Sequence, residues 1–144
     1  MNYRFRYSFA VILLLAVSVA LACERDTKLV IKGSNPPVFV MSGSGSLGTI
    51  RVRGPEKQRE AAGEDAFLYW VIVNREDEEQ NVERLGPVTY GKVPQGYKQV
   101  YPERGEATQL VEGERYNIRI ATNNANGVDK FFVIRNGKVE VSDY

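Results

Sequence analysis

The chain has no histidine and a single cysteine, Cys23. Those two facts remove the commonest catalytic couples together. A Ser-His or Cys-His pair needs an imidazole to take the nucleophile's proton, and a zinc site needs imidazole or thiolate ligands. Carboxylates and phenols remain. Asp26, Glu64, Asp65, Glu76, Asp77, Glu78 and Glu79 could supply an acid and a base, but paired carboxylates hydrolyse a glycoside only when a cleft holds them about 5 to 10 Å apart. Most of these acids sit in segments that read as turns. EDEE (76–79) reads as a solvated hairpin turn and lacks the alternating Asp/Asn ligands of a calcium loop. No catalytic residue, metal ligand or cofactor ligand is assigned, and a histidine-free carboxylate hydrolase stands as the enzymatic alternative.

The phenols are more suggestive. Tyr90, Tyr97 and Tyr101 fall on the Gly- and Pro-rich connection TYGKVPQGYKQVYPERG (89–105). Rings on such a loop can stack on sugars or anchor a protein partner. Tyrosine is equally an ordinary strand residue, and the three rings can instead pack over an open sheet edge and pin the crossing loop. TNNANGVD (122–129) could present amides to a ligand, but Asn and Gly are also what a turn with left-handed φ requires. Trp70, inside the most apolar run, reads as core.

Location comes from the first twenty-three residues. MNYRFRYS carries Arg4 and Arg6 and no acid, and FAVILLLAVSVALA follows with fourteen uncharged residues. A basic start and then an apolar stretch is the layout of a secretory signal. The uncharged run from Tyr7 to Cys23 is at the short limit of the about 17 to 25 residues that span a bilayer as a helix, so a retained anchor is the less favoured reading. Ala20-Leu21-Ala22 has the small-x-small form of ordinary cleavage, which would leave a soluble periplasmic or secreted protein. Leu21-Ala22-Cys23 resembles the lipobox of bacterial lipoproteins, with Ala20 where that family usually has Leu. An exported chain with one cysteine cannot close an internal disulfide. The resemblance implies instead lipidation of Cys23 and attachment to the membrane, and Glu24 after it suits the periplasmic face of an outer membrane. The partners then expected are the membrane, through the lipid, and an envelope protein or a glycan.

Cleavage before Cys23 leaves 122 of the 144 residues, one domain's worth. Of 19 basic residues, Arg4 and Arg6 leave with the leader, so 17 face 18 acids. A nearly neutral domain lacks the electrostatic footprint of a nucleic-acid binder. The expected layout is a signal (1–22), a lipid-attached tether (23–28) and a folded domain (29–144).

The elements that must position any site read as strands. Short β-branched and aromatic runs recur between Gly, Pro, Asn and charge: 27–32, 37–42, 48–53, 66–74, 82–91, 97–101, 114–122, 129–135 and 138–142. Only EKQREAAGED (56–65) is helix-prone, and it lacks an apolar stripe. Asn136-Gly137 is a strong type I′ hairpin signal. Alternation sets Ile50 and Val52 inward against Arg51 and Arg53, and Tyr116, Ile118 and Ile120 inward against Asn117, Arg119 and Ala121. FLYWVIV, apolar on both faces, suits a central strand. Apolar sheet faces must be buried against one another, which predicts an all-β, two-sheet sandwich.

LVEGERYNIRIATNNANG (110–127) resembles the signature around the sixth strand of fibronectin type III domains, with Leu110, Gly113, Tyr116, Ile118, Ile120, Ala121, Asn123 and Gly127 at the matching positions. The resemblance implies an immunoglobulin-like sandwich in which Tyr116 forms a tyrosine corner, its hydroxyl bonded to backbone upstream, with Leu110 and Gly113 shaping the turn. That role is structural. The family's second-strand Trp is missing from GTIRVRGP, and a transthyretin-like sandwich is an equal alternative to the fibronectin-type one. YGKVPQGYKQVYPERGEATQLVEGERY also looks like segments of uncharacterised bacterial lipoproteins, a likeness that implies no activity. The function expected is a non-catalytic structural or binding module, with an exported spacer as its soluble alternative.

Overall fold

A computed structural model describes residues 26–55, 67–75 and 80–142. The leader with Cys23, the helix-prone 56–65 and the acidic 76–79 lie outside the described residues. Among the described residues no helix is long and apolar enough to cross a membrane.

The nine strands described are β1 (Thr27–Lys32), β2 (Val38–Gly43), β3 (Ser46–Arg53), β4 (Leu68–Asn74), β5 (Val88–Thr89), β6 (Tyr97–Tyr101), β7 (Arg115–Asn123), β8 (Val128–Arg135) and β9 (Lys138–Ser142). They form a three-stranded sheet, β1-β2-β5, and a six-stranded sheet, β6-β4-β3-β7-β8-β9. All the ladders are antiparallel. The chain is an all-β, sandwich-like pair of sheets, as the alternation requires. β1 begins at Thr27, inside the segment expected to be tether.

Alternation builds the core. Leu29, Ile31, Phe39 and Met41 point from the small sheet at Ile50, Val52, Trp70, Ile72, Tyr116, Ile118, Ile120, Phe132 and Ile134 of the large one. Phe39 meets Phe132 edge to face at 6.2 Å, and Phe132 stacks on Tyr116 at 5.6 Å. Burying each such ring or aliphatic side chain contributes about 1.5 to 3 kcal/mol, so the interlayer contact is what holds the two sheets together. β4 pairs with β3 on one side and β6 on the other, and both its core-facing Trp70 and Ile72 and its outward Val71 are buried. Trp70 is fully buried there, its indole N–H donating to Gln99 Oε1 at 3.0 Å.

Two expectations are corrected. VERLGPVTYG (82–91) is strand only at Val88–Thr89, because Gly86 takes a φ of +71° and Pro87 has no N–H to give a ladder. Arg53 and Asn117, assigned by alternation to the solvent side, are each only 7% exposed. They lie opposite one another on the outer face of the large sheet, where Val71, Phe131 and Val133 are also buried. Asn117 Nδ2 donates to Asp129 Oδ1 at 2.7 Å, and the Arg115 guanidinium lies 4.4 Å from the Phe131 ring centre. Alternation reports which face a residue takes; it is silent about what covers that face.

Candidate functional site

The sandwich has two unlike ends. Where β1 begins, Thr27 N–H donates to Asn126 O (3.0 Å), Thr27 Oγ1 to Ser44 O (2.9 Å) and Ser44 N–H to Asp26 O (3.1 Å). Gly43 and Gly45 carry the chain from small sheet to large with φ of +91° and +100°. A Cβ on Gly43 would sit 2.4 Å from Asp26 O. TNNANGVD supplies the facing β7–β8 connection, with Asn124 at a φ of +61°, so its Asn and Gly residues serve a turn.

The other end is aromatic. A bulge between β3 and β4 pairs Val52 with Trp70 and Arg53 with Leu68, leaving Tyr69 as the extra residue. A bulge re-aims a side chain, and here the Tyr69 ring swings onto Tyr116, edge to face at 5.3 Å. Gly54 makes that path: a Cβ on it would lie 2.0 Å from the Tyr69 ring. Val111 N–H donates to Tyr116 Oη at 2.7 Å, five residues upstream. Leu110 is buried beside it, and Gly113 turns with a φ of +81° and donates its N–H to Ile134 O. Burial pushes the Tyr116 hydroxyl up to about 12 and raises Tyr69 as well.

Of the candidate binding tyrosines, two are walls of the core. Tyr97 is 2% exposed and donates its hydroxyl to Leu47 O at 3.0 Å; burial pushes it up to about 12. Tyr90 is 6% exposed, packs edge to face on Trp70 at 5.4 Å and donates to Thr108 O at 2.6 Å. Burial raises its hydroxyl strongly. Only Tyr101, 38% exposed, presents a ring to solvent. The three are not brought together as a stacking platform.

What Tyr90 does instead is back a cleft. Its N–H donates to Pro37 O, extending the β2–β5 pairing, and its bond to Thr108 draws in the segment after β6. Between these segments lies a cleft of about 660 Å³ walled by Pro36, Tyr90, Ala107 and Leu110, with Asn35, Lys92, Glu106 and Gln109 as its polar groups. Asn35 fixes one side, its Nδ2 donating to Leu110 O at 3.1 Å and its N–H to Gly137 O at 2.9 Å. The volume is within the about 300 to 1,000 Å³ of small-ligand sites. Glu106 is the one carboxylate among the described residues lining it. No group of three or more potential ligands for a metal occurs among the described residues.

Sequence reading found Tyr90 and Leu110 but not the cleft. Its walls come from residues 35–36, 90–92 and 106–110, and only Asn35-Pro36 and the Gly91 turn carried a local sign that the chain bends there. No protein-family model, curated protein or solved structure matches the chain.

Proposed function

We propose that the chain is an exported, lipid-anchored envelope protein whose sandwich binds a glycan without chemistry on it. The leader layout and the single cysteine support the anchor: a thioether-linked lipid at Cys23 gives the otherwise unpaired thiol a use. Each buried acyl CH₂ contributes about 0.8 kcal/mol, so multiple chains make attachment effectively permanent. An immunoglobulin-like sandwich puts its first, second and fifth strands in one sheet and its third, sixth and seventh in the other. With β6 counted as an insertion, β1, β2 and β5 stand opposite neighbouring β3, β7 and β8, which supports the fibronectin-type reading together with the Tyr116 to Val111 bond.

The observation that carries the functional reading is the cleft with one carboxylate. Hydrolysis by acids alone needs two facing carboxyl groups, and Glu106 has no such companion among the described lining residues. Apolar Pro36, Ala107 and Leu110 suit the C–H face of a sugar, while Lys92, Glu106 and Gln109 offer donors and acceptors for its hydroxyls. Titrating the protein with soluble peptidoglycan fragments while following backbone amide resonances is the test. Shifts confined to Asn35, Gly91, Lys92, Ala107 and Gln109 are expected. Appearance of new reducing ends would replace binding by hydrolysis, and spectra unmoved at saturating fragment would remove the glycan reading.

A further inference from the structure

Alternation on the small sheet leaves one outward face with a pattern of its own. Lys28, Val30 and Lys32 of β1 point away from the core, opposite Ser42, Val40 and Val38 of β2, and Val38 in turn faces Thr89 of β5. Val30 is 55% exposed, and Lys28 and Lys32 are exposed on either side of it. The face is thus a row of valines between two cations, and none of its seven outward residues is acidic.

We infer that this face of β1 and β2 docks on the anionic surface of the bilayer to which Cys23 is anchored; the inference rests on the lipidation reading. Three residues separate Cys23 from Thr27, and the four steps between them span at most about 14 Å. Charges matter over a Debye length of about 8 to 10 Å, so β1 starts close to the range at which headgroups act on it, and its lysines follow directly. Each lysine near an anionic surface contributes about 1 kcal/mol, too little to hold a protein alone and enough to orient one already held by its lipid. Valines between the lysines meet the headgroup boundary, as the apolar side of an interfacial element does. Lysine on the edge strand β1 would by itself discourage edge pairing, but that use leaves the exposed Val30 and its partner Val40 without a role. A second copy docked on the same face by a twofold axis would oppose this lysine pair to its own.

The test is lysine acetylation, read by mass spectrometry, on full-length protein produced with its own leader and reconstituted in phosphatidylcholine vesicles with or without phosphatidylglycerol. Lys28 and Lys32 are expected to react at least about fivefold more slowly when phosphatidylglycerol is present, the effect of one lysine at an anionic surface. Lys98, exposed on the opposite edge strand β6 of the large sheet, should react alike in both. The same digest reports Cys23. Acylated Cys23 with unprotected Lys28 and Lys32 overturns the docking face and leaves the anchor standing, whereas an unmodified thiol overturns the anchor and the docking inference with it. Protection already present in detergent without lipid assigns the face to a second copy, and protection in native membranes but not in the vesicles assigns it to a protein partner; either overturns bilayer docking.

Discussion

The end of the sandwich at which β1 begins and the end at which Tyr116 sits are closed by different chemistry. At the first, short polar side chains and two glycines let backbone meet backbone, and the segments lie at hydrogen-bond distance. At the second, Tyr69, Tyr90 and Tyr116 pack rings and place hydroxyls against the loops, backbone also meets backbone at Asn35 and Gly137, and a cleft lies beside Tyr90. The two ends thus differ in the size of the side chains packed there, and each has a glycine whose missing Cβ makes room for a neighbour and can be used to check the contrast.

The largest effect is expected at the aromatic end. Gly54→Ala sets a methyl where the Tyr69 ring lies, so the ring must leave Tyr116, and stability should fall by about 3 kcal/mol, the upper end of the cost of forcing extra volume into a packed site. Denaturant unfolding with an unchanged midpoint would show that the bulge does not depend on Gly54. At the sealed end, Gly43→Ala combines positive φ with a collision against Asp26 carbonyl oxygen and should cost about 2 kcal/mol. The cleft should be untouched by it, so fragment binding at full affinity by the folded variant keeps the two ends independent, and lost binding would join them. Tyr116→Phe removes one hydroxyl that accepts from Val111 and should cost about 1 kcal/mol.

The smallest effect is a pH dependence confined to the alkaline side. A phenol whose folded pKa is raised binds its proton more tightly in the folded chain, so its contribution is complete below the unfolded value of 10 and declines as pH rises toward 12. The thermal midpoint should therefore fall between those values, and a midpoint constant across that window would mean that Tyr97 and Tyr116 titrate alike in the folded and unfolded chain.

Much of the strand pattern was legible because β-sheets write their geometry with a period of two. β1, β6 and β9 have the boundaries that sequence assigns them, and both Asn136 and Gly137 take the positive φ that their turn demands. The corner at Tyr116 was legible because its partner lies only five residues away. Properties that depend on residues far apart were not. Tyr90 and Tyr97 look alike to Tyr101 in a loop-like sequence, yet Trp70 and Leu47, brought from other strands, bury the first two. Arg53 and Asn117 alternate correctly but are covered, and the cleft exists only where three separated segments converge.

The central claim is that this sandwich is held to a membrane through Cys23. Mass spectrometry of the N-terminal peptide from native extracts tests it directly. The expected species begins at Cys23 and carries acyl chains, and Cys23→Ser should leave the membrane pellet for the soluble fraction. An N-terminal peptide with a bare thiol, or one that still includes Met1 to Ala22, would contradict the account.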